Sequence, residues 1–180
     1  MGRLIKESQQ RSTVKALNDI CSLLRGNFLI AGVGSPLRRD DRAGLLFCEE
    51  LSKRGYECLI CEYGVENCLD GIIAAKPRTL IVVDAALFAG GSPGDVVVVS
   101  EEKVSSSEVY VSTHGIPLSA VINMLKSLGA VERVYLVGVY PKDLGLGLEV
   151  SREAAVAVNE LVNKFVKCFE SAGKRGEEPK

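Results

Sequence analysis

The sequence predicts a three-layer α/β fold of the phosphorylase/hydrolase-like kind. Its core is a mostly parallel, twisted sheet of about five strands with helices on both faces. Three observations point there. Short β-branched runs alternate along the chain with segments whose apolar residues recur at helical spacing. Runs such as Phe28–Val33 and Thr79–Val83 are apolar throughout, as strands covered on both faces must be. Glycine and proline turns separate run from helix, as at Gly34-Ser35-Pro36.

The elements follow in order. Residues 1–11 are a polar end. Thr13–Leu24 has helical spacing and stops at Gly26. Phe28–Val33 is a buried strand, and a helix follows through Ala43–Leu51 to Gly55, with Asp40 placed to cap it. Tyr56–Glu62 reads as a strand, Val65–Ala75 as a helix ending before Pro77, and Thr79–Val83 as a strand closed by Asp84. Gly90–Asp95 has loop chemistry, Val96–Val99 is a short strand, and Ser105–Ser107 marks a loop. Ile116–Leu128 is an amphipathic helix with Pro117 in its first turn, Val131–Tyr140 is a strand, and Ser151–Phe169 is a long helix. Residues 173–180 form a solvated tail. At 180 residues, with no internal repeat, the chain is read as one domain.

Composition narrows the function. The net charge of −1, without a clustered basic run or any Trp, argues against nucleic acid as a partner. No apolar run reaches the roughly 18 residues of a membrane span, and the N-terminus is too polar for a signal peptide. The chain is therefore expected to be cytoplasmic. Six cysteines are present, and Cys58 and Cys61 have CxxC spacing. Residues three apart on a strand face opposite ways, so this pair is a poor metal clip. The thiols are expected to be reduced and largely buried, with disulfides an alternative for a hyperthermophile source.

Three positions carry candidate chemistry. Asp41 follows the Gly32-Val33-Gly34 turn, Asp84 closes an apolar strand, and His114 is the only histidine. The carboxyl ends of strands are where α/β sheets place their ligands. Two carboxylates and one imidazole are a serviceable divalent-metal set. The glycine turn is not a dinucleotide site, because Leu37 stands where a third glycine is needed and Asp40-Asp41 would repel a phosphate. There is no GxSxG elbow for a serine hydrolase. Arg38, Arg39 and Arg42 surround the acid pair and read as a solvated face, with an acidic partner segment as the alternative.

Taken together, Gly32–Asp41, Asp84-Ala85 and Ser112-Thr113-His114-Gly115-Ile116-Pro117-Leu118 resemble the motifs of the hydrogenase maturation endopeptidases. Glu66-Asn67 and Gly138-Val139-Tyr140-Pro141 resemble the branch serving formate-hydrogenlyase-type hydrogenases. The resemblance covers residues 27–166. It implies that Asp41, Asp84 and His114 are both catalytic and nickel-contacting. The nickel belongs to the substrate, a [NiFe]-hydrogenase large-subunit precursor that loses its C-terminal extension. Ser35 departs from the family's usual Asn, and Arg42 from its usual small residue. The rival expectations are a non-cleaving nickel-sensing scaffold and a metal-dependent hydrolase of small substrates.

Overall fold

A computed structural model describes residues 20–105, 109–111 and 115–173. The strands are β1 (Phe28–Gly34), β2 (Leu59–Glu62), β3 (Thr79–Phe88), β4 (Val96–Ser100), β5 (Val109–Val111) and β6 (Arg133–Val139). The helices are α1 (Ala43–Lys53), α2 (Leu69–Ala75), α3 (Glu101–Ser105), α4 (Leu118–Ser127) and α5 (Arg152–Gly173). The sheet runs β2-β1-β3-β6-β4, with β5 paired to β3 off this path. β1, β2, β3 and β6 are mutually parallel, while β4 against β6 and β5 against β3 are antiparallel.

Two apolar layers cover the sheet, as the unbroken hydrophobic strands require. On one face Ile30, Ile81, Val83 and Val137 pack under α1 and α5, through Phe47, Leu51, Leu161 and Phe165. On the other, Leu80, Val82, Val134 and Leu136 pack against Ile72, Val121 and Leu125 of α2 and α4. Alternation along β3 produces this split, since successive side chains point to opposite faces.

Several boundaries differ from the sequence reading. β3 extends to Phe88, so Asp84 lies within the strand rather than at its end. The cause is pairing: β6 holds Asp84 and Ala85, and β5 holds Ala86 to Phe88. The predicted helix 65–75 is a 3-10 turn, Val65–Cys68, followed by α2. The strand expected from Tyr56 begins at Leu59, where pairing with Ala31 of β1 starts. The short α3 was not anticipated. Of the N-terminal helical pattern, residues 13–19 lie outside the described residues, while 20–23 are helical and Ile20 is buried. Residues 1–11 and 174–180 also lie outside them.

The cysteines correct the expectation of reduced thiols. Disulfides join Cys21 to Cys168, Cys48 to Cys58 and Cys61 to Cys68. Cys58 and Cys61 do point to different partners, Cys58 to α1 and Cys61 to the turn before α2. Each pair is brought within 5.1 to 5.6 Å between Cα atoms by tertiary packing, helix against helix for Cys21 and Cys168, a separation suited to a disulfide. Sequence spacing alone carries no trace of such contacts.

Candidate active site

β1 connects to β2 on one side and the chain then crosses to β3 on the other. The crevice between β1 and β3 is therefore the topological switch point, where open α/β sheets bind ligands. The β1–β3 pairing ends at Gly32 and Val83. Asp84 is the first residue of β3 beyond it.

Two glycines bring Asp41 to the same junction. A Cβ on Gly44 would lie 2.1 Å from the Val83 carbonyl oxygen and 2.3 Å from that of Val33. A Cβ on Gly32 would lie 2.1 Å from the Gly44 carbonyl oxygen. Bare backbone at these positions lets the first turn of α1 rest directly on the ends of β1 and β3. The 3-10 turn Arg39–Arg42, which carries both aspartates, is thereby drawn over the sheet edge. The glycine motif is a packing device and not a phosphate cradle.

Asp41 is 2% exposed and Asp84 1%. Asp84 accepts a 2.7 Å hydrogen bond on Oδ1 from the Ala85 backbone N–H. It shares a sheet face with Leu80, Val82 and Ala86, the face covered by α2 and α4. A carboxylate buried in an apolar layer is costly unless partnered, and the Ala85 N–H partners one oxygen of Asp84.

His114 lies outside the described residues, but the chain on both sides of it is placed. Val111, the last residue of β5, pairs with Ala86, two residues from Asp84. Gly115 to Pro117 lead into α4, where the Pro117 carbonyl accepts from Ala120 N–H at 2.9 Å. Among the described residues, no three His, Cys, Asp or Glu side chains are grouped to hold a metal ion.

Asp40 does not cap α1, which has no side-chain cap. It is completely buried and accepts four hydrogen bonds from the loop between β6 and α5. Its Oδ2 takes Lys142 N–H at 2.7 Å, Asp143 N–H at 3.1 Å and the Ser151 hydroxyl at 2.8 Å, and its Oδ1 takes Ser151 N–H at 2.6 Å. Adjacent acids thus have separate tasks: Asp40 anchors a loop, and Asp41 sits at the sheet edge. Nothing in the local sequence marks Asp40 for a partner 102 to 111 residues away.

The arginines also differ from a purely solvated face. Arg38 donates to the Leu144 carbonyl, Arg39 to the Leu146 carbonyl and the Asp143 carboxylate, and Arg42 to both oxygens of Glu49. These donors tie the chain to itself, while the buried Arg42 Nε has no hydrogen-bond partner among the described residues. A separate cavity of about 450 Å³ lies at the start of α5, lined by Pro93, Arg152, Glu153 and Val156 among others, and neither Asp41 nor Asp84 lines it.

The model of the family described as "Hydrogenase maturation protease" matches residues 65–168. Among solved structures, the chain is similar to the [NiFe] hydrogenase maturation protease HycI from Thermococcus kodakarensis KOD1. Identity is 25% and the TM-score 0.71, covering 84% of this chain and 98% of that one. HybD from Thermococcus kodakarensis shares the fold at 24% identity and TM-score 0.66, covering 79% and 98%. The Escherichia coli endopeptidase HycI does so at 23% and 0.64, covering 77% and 88%. No curated protein sequence matches the chain. No helix among the described residues is long and apolar enough to cross a membrane. With more than half its length matched by that model, and the fold of those proteases around its sheet edge, the chain belongs to the hydrogenase maturation protease family, enzymes that hydrolyse peptide bonds.

Proposed function

We propose that the protein is a cytoplasmic endopeptidase that removes the C-terminal extension of a [NiFe]-hydrogenase large-subunit precursor and reads the nickel in that precursor as its signal to cut. Asp41, Asp84 and His114 contact the metal from the protease side, while precursor thiolates hold it from the other. The observation that carries this reading is the burial of Asp41 and Asp84 at the switch point between β1 and β3, in a chain of this family. The register of β5 supports His114 as the third member, since Val111 pairs two residues from Asp84.

Carboxylate oxygens and an imidazole nitrogen are apt ligands to complete the coordination of a nickel already held by sulfur. Nickel so placed is a Lewis acid near the scissile bond. On the protein side, the Ala85 N–H holds one oxygen of Asp84 and so fixes how its carboxylate is presented. Asp41 or Asp84 takes a proton from the attacking water, and His114 is the residue suited to return one to the leaving amine. The three intramolecular disulfides fit a cytoplasm of the hyperthermophile kind, where such bonds persist.

Asp41→Asn, Asp84→Asn and His114→Ala should each abolish processing of the nickel-loaded precursor, followed by mass spectrometry, while circular dichroism stays unchanged. Normal processing by all three variants would remove them from the chemistry.

A further inference from the structure

Among the described residues, three that are not glycine have a left-handed backbone: Arg39 at φ 30°, Tyr63 at 66° and Lys76 at 43°. This conformation crowds the Cβ of an L-residue and is ordinarily left to glycine or asparagine. Two of the three are accounted for by their surroundings. Lys76 ends α2, where its N–H donates to the Ile72 carbonyl at 3.0 Å, and a left-handed residue is a common helix stop. Arg39 is held by its own bonds to Gly147, Leu146 and Asp143. The Tyr63 side chain has no such reason. Tyr63 is 48% exposed, and neither its ring nor its hydroxyl has a partner among the described residues.

The backbone that carries Tyr63 is fixed. Glu62, the last residue of β2, is in register with Gly34, and the Tyr63 N–H donates to the Gly34 carbonyl at 2.8 Å. Asn67 donates its side-chain amide to the Glu62 carbonyl at 2.7 Å, and the Cys61–Cys68 disulfide closes the loop. Gly34 is also the residue on which Asp41 rests, since a Cβ there would lie 1.9 Å from the Asp41 carbonyl oxygen. One glycine thus stands between the backbones of Tyr63 and Asp41, at the carboxyl ends of β2 and β1.

A strained, exposed tyrosine lowers the stability of the fold it stands on. Residues of this kind gather where a molecule binds. Tyrosine offers a large contact area with little side-chain freedom to lose, which makes it frequent at the centre of protein contacts. In a family of enzymes that hydrolyse peptide bonds, the molecule that must lie beside Asp41 is a polypeptide.

We propose that Tyr63 is a substrate-binding residue whose ring packs against the precursor polypeptide beside the bond that is cut. This rests on the endopeptidase reading above. The ring sets affinity and takes no part in proton transfer.

The test uses the full-length protein and the nickel-loaded large-subunit precursor from the same genome. Tyr63→Gly and Tyr63→Asn remove the ring and suit the left-handed backbone, while Tyr63→Phe keeps the ring. Lys76→Gly is the control: it relieves the same kind of strain at the opposite edge of the sheet, where the Lys76 carbonyl meets Asn27 ahead of β1. Both variants without the ring should raise Kd and KM about 10- to 30-fold, with kcat within about twofold. Tyr63→Phe should stay within about threefold of wild type, and Lys76→Gly should not change either constant. By calorimetry, Tm of Tyr63→Gly should hold or rise by up to about 4 °C, so that lost affinity is not lost folding. Unchanged Kd and KM without the ring overturn the proposal. So does a lowered kcat at constant KM, which makes Tyr63 part of the chemistry, and so does a fall in Tm of more than about 4 °C in both variants, which makes its side chain structural. A loss in Tyr63→Phe equal to that in Tyr63→Gly overturns the ring contact. Wild-type protein that binds the precursor without cutting it refutes the endopeptidase, and the variants' Kd still decides Tyr63. Wild-type protein that does not bind overturns both.

Discussion

Asp40→Asn is the substitution that best isolates the anchoring of the β6–α5 loop. The side chains are nearly the same size, so packing is retained and only hydrogen bonding changes. Oδ2 of Asp40 serves three donors and Oδ1 serves one, the Ser151 N–H at 2.6 Å. The best placement of an asparagine puts its carbonyl oxygen at the Oδ2 position, where it keeps three bonds. Its NH₂ then faces the Ser151 N–H, donor against donor. The lost charged bond costs about 1.5–3 kcal/mol. The three that remain become neutral, at about half the strength of charge-assisted ones, which adds about 1–2 kcal/mol. The total is about 2.5–5 kcal/mol, or about 10 °C in Tm for a chain of this size. Denaturant melting measures the stability, and hydrogen exchange at Lys142, Asp143 and Ser151 locates the loss. A change below about 0.5 kcal/mol with undiminished protection of those amides would falsify the anchoring role.

Other perturbations follow from the same geometry. Gly44→Ala places a methyl against the Val83 and Val33 carbonyls, both backbone atoms, so α1 must shift; a loss of stability above about 3 kcal/mol and of processing is expected, by calorimetry and mass analysis. The Cys21–Cys168 disulfide spans 147 residues, and the double serine variant should lose about 5 kcal/mol on the loop-entropy account, read from urea melts against the unreduced wild type. The hydrogen bond from Lys142 holds the exposed Glu153 carboxyl below its ordinary 4.5 and lifts Lys142 above 10.5. For Glu153 the unfolded chain binds its proton first as pH falls, so the pair's contribution is present above 4.5 and fades as pH drops through the lower folded value. For Lys142 it is present below 10.5 and fades as pH rises through the higher folded value. Lys142→Ala should move the Glu153 carboxyl, followed by NMR titration, back toward 4.5, and global stability should barely change because the pair is exposed.

Much of this was legible in the linear chain. The apolar runs of β1 and β3 identified strands buried on both faces, and both proved to be central. Asp41 and Asp84 could be singled out because charged residues beside such runs must face an edge or a partner. What was not legible depended on contacts distant in sequence. Asp40 looks like a helix cap from its position, yet its partners lie beyond residue 140. The ends of β3 were set by β5 and β6 and not by its own residues. The cysteine pairs follow the same rule, since Cys21 and Cys168 meet only because two helical segments share one face of the sheet. The glycines were visible as a motif, but their purpose, a close approach of α1 to two strand ends, required the third dimension.

The central claim is that the buried carboxylates act on a nickel-bearing protein substrate. The most direct measurement is the mass of the large-subunit precursor from the same genome, prepared with and without nickel, after incubation with this protein. Loss of a C-terminal peptide from the nickel-loaded form alone is the predicted result. Cleavage irrespective of nickel would contradict nickel as the signal, and no cleavage of either form would contradict the endopeptidase reading itself.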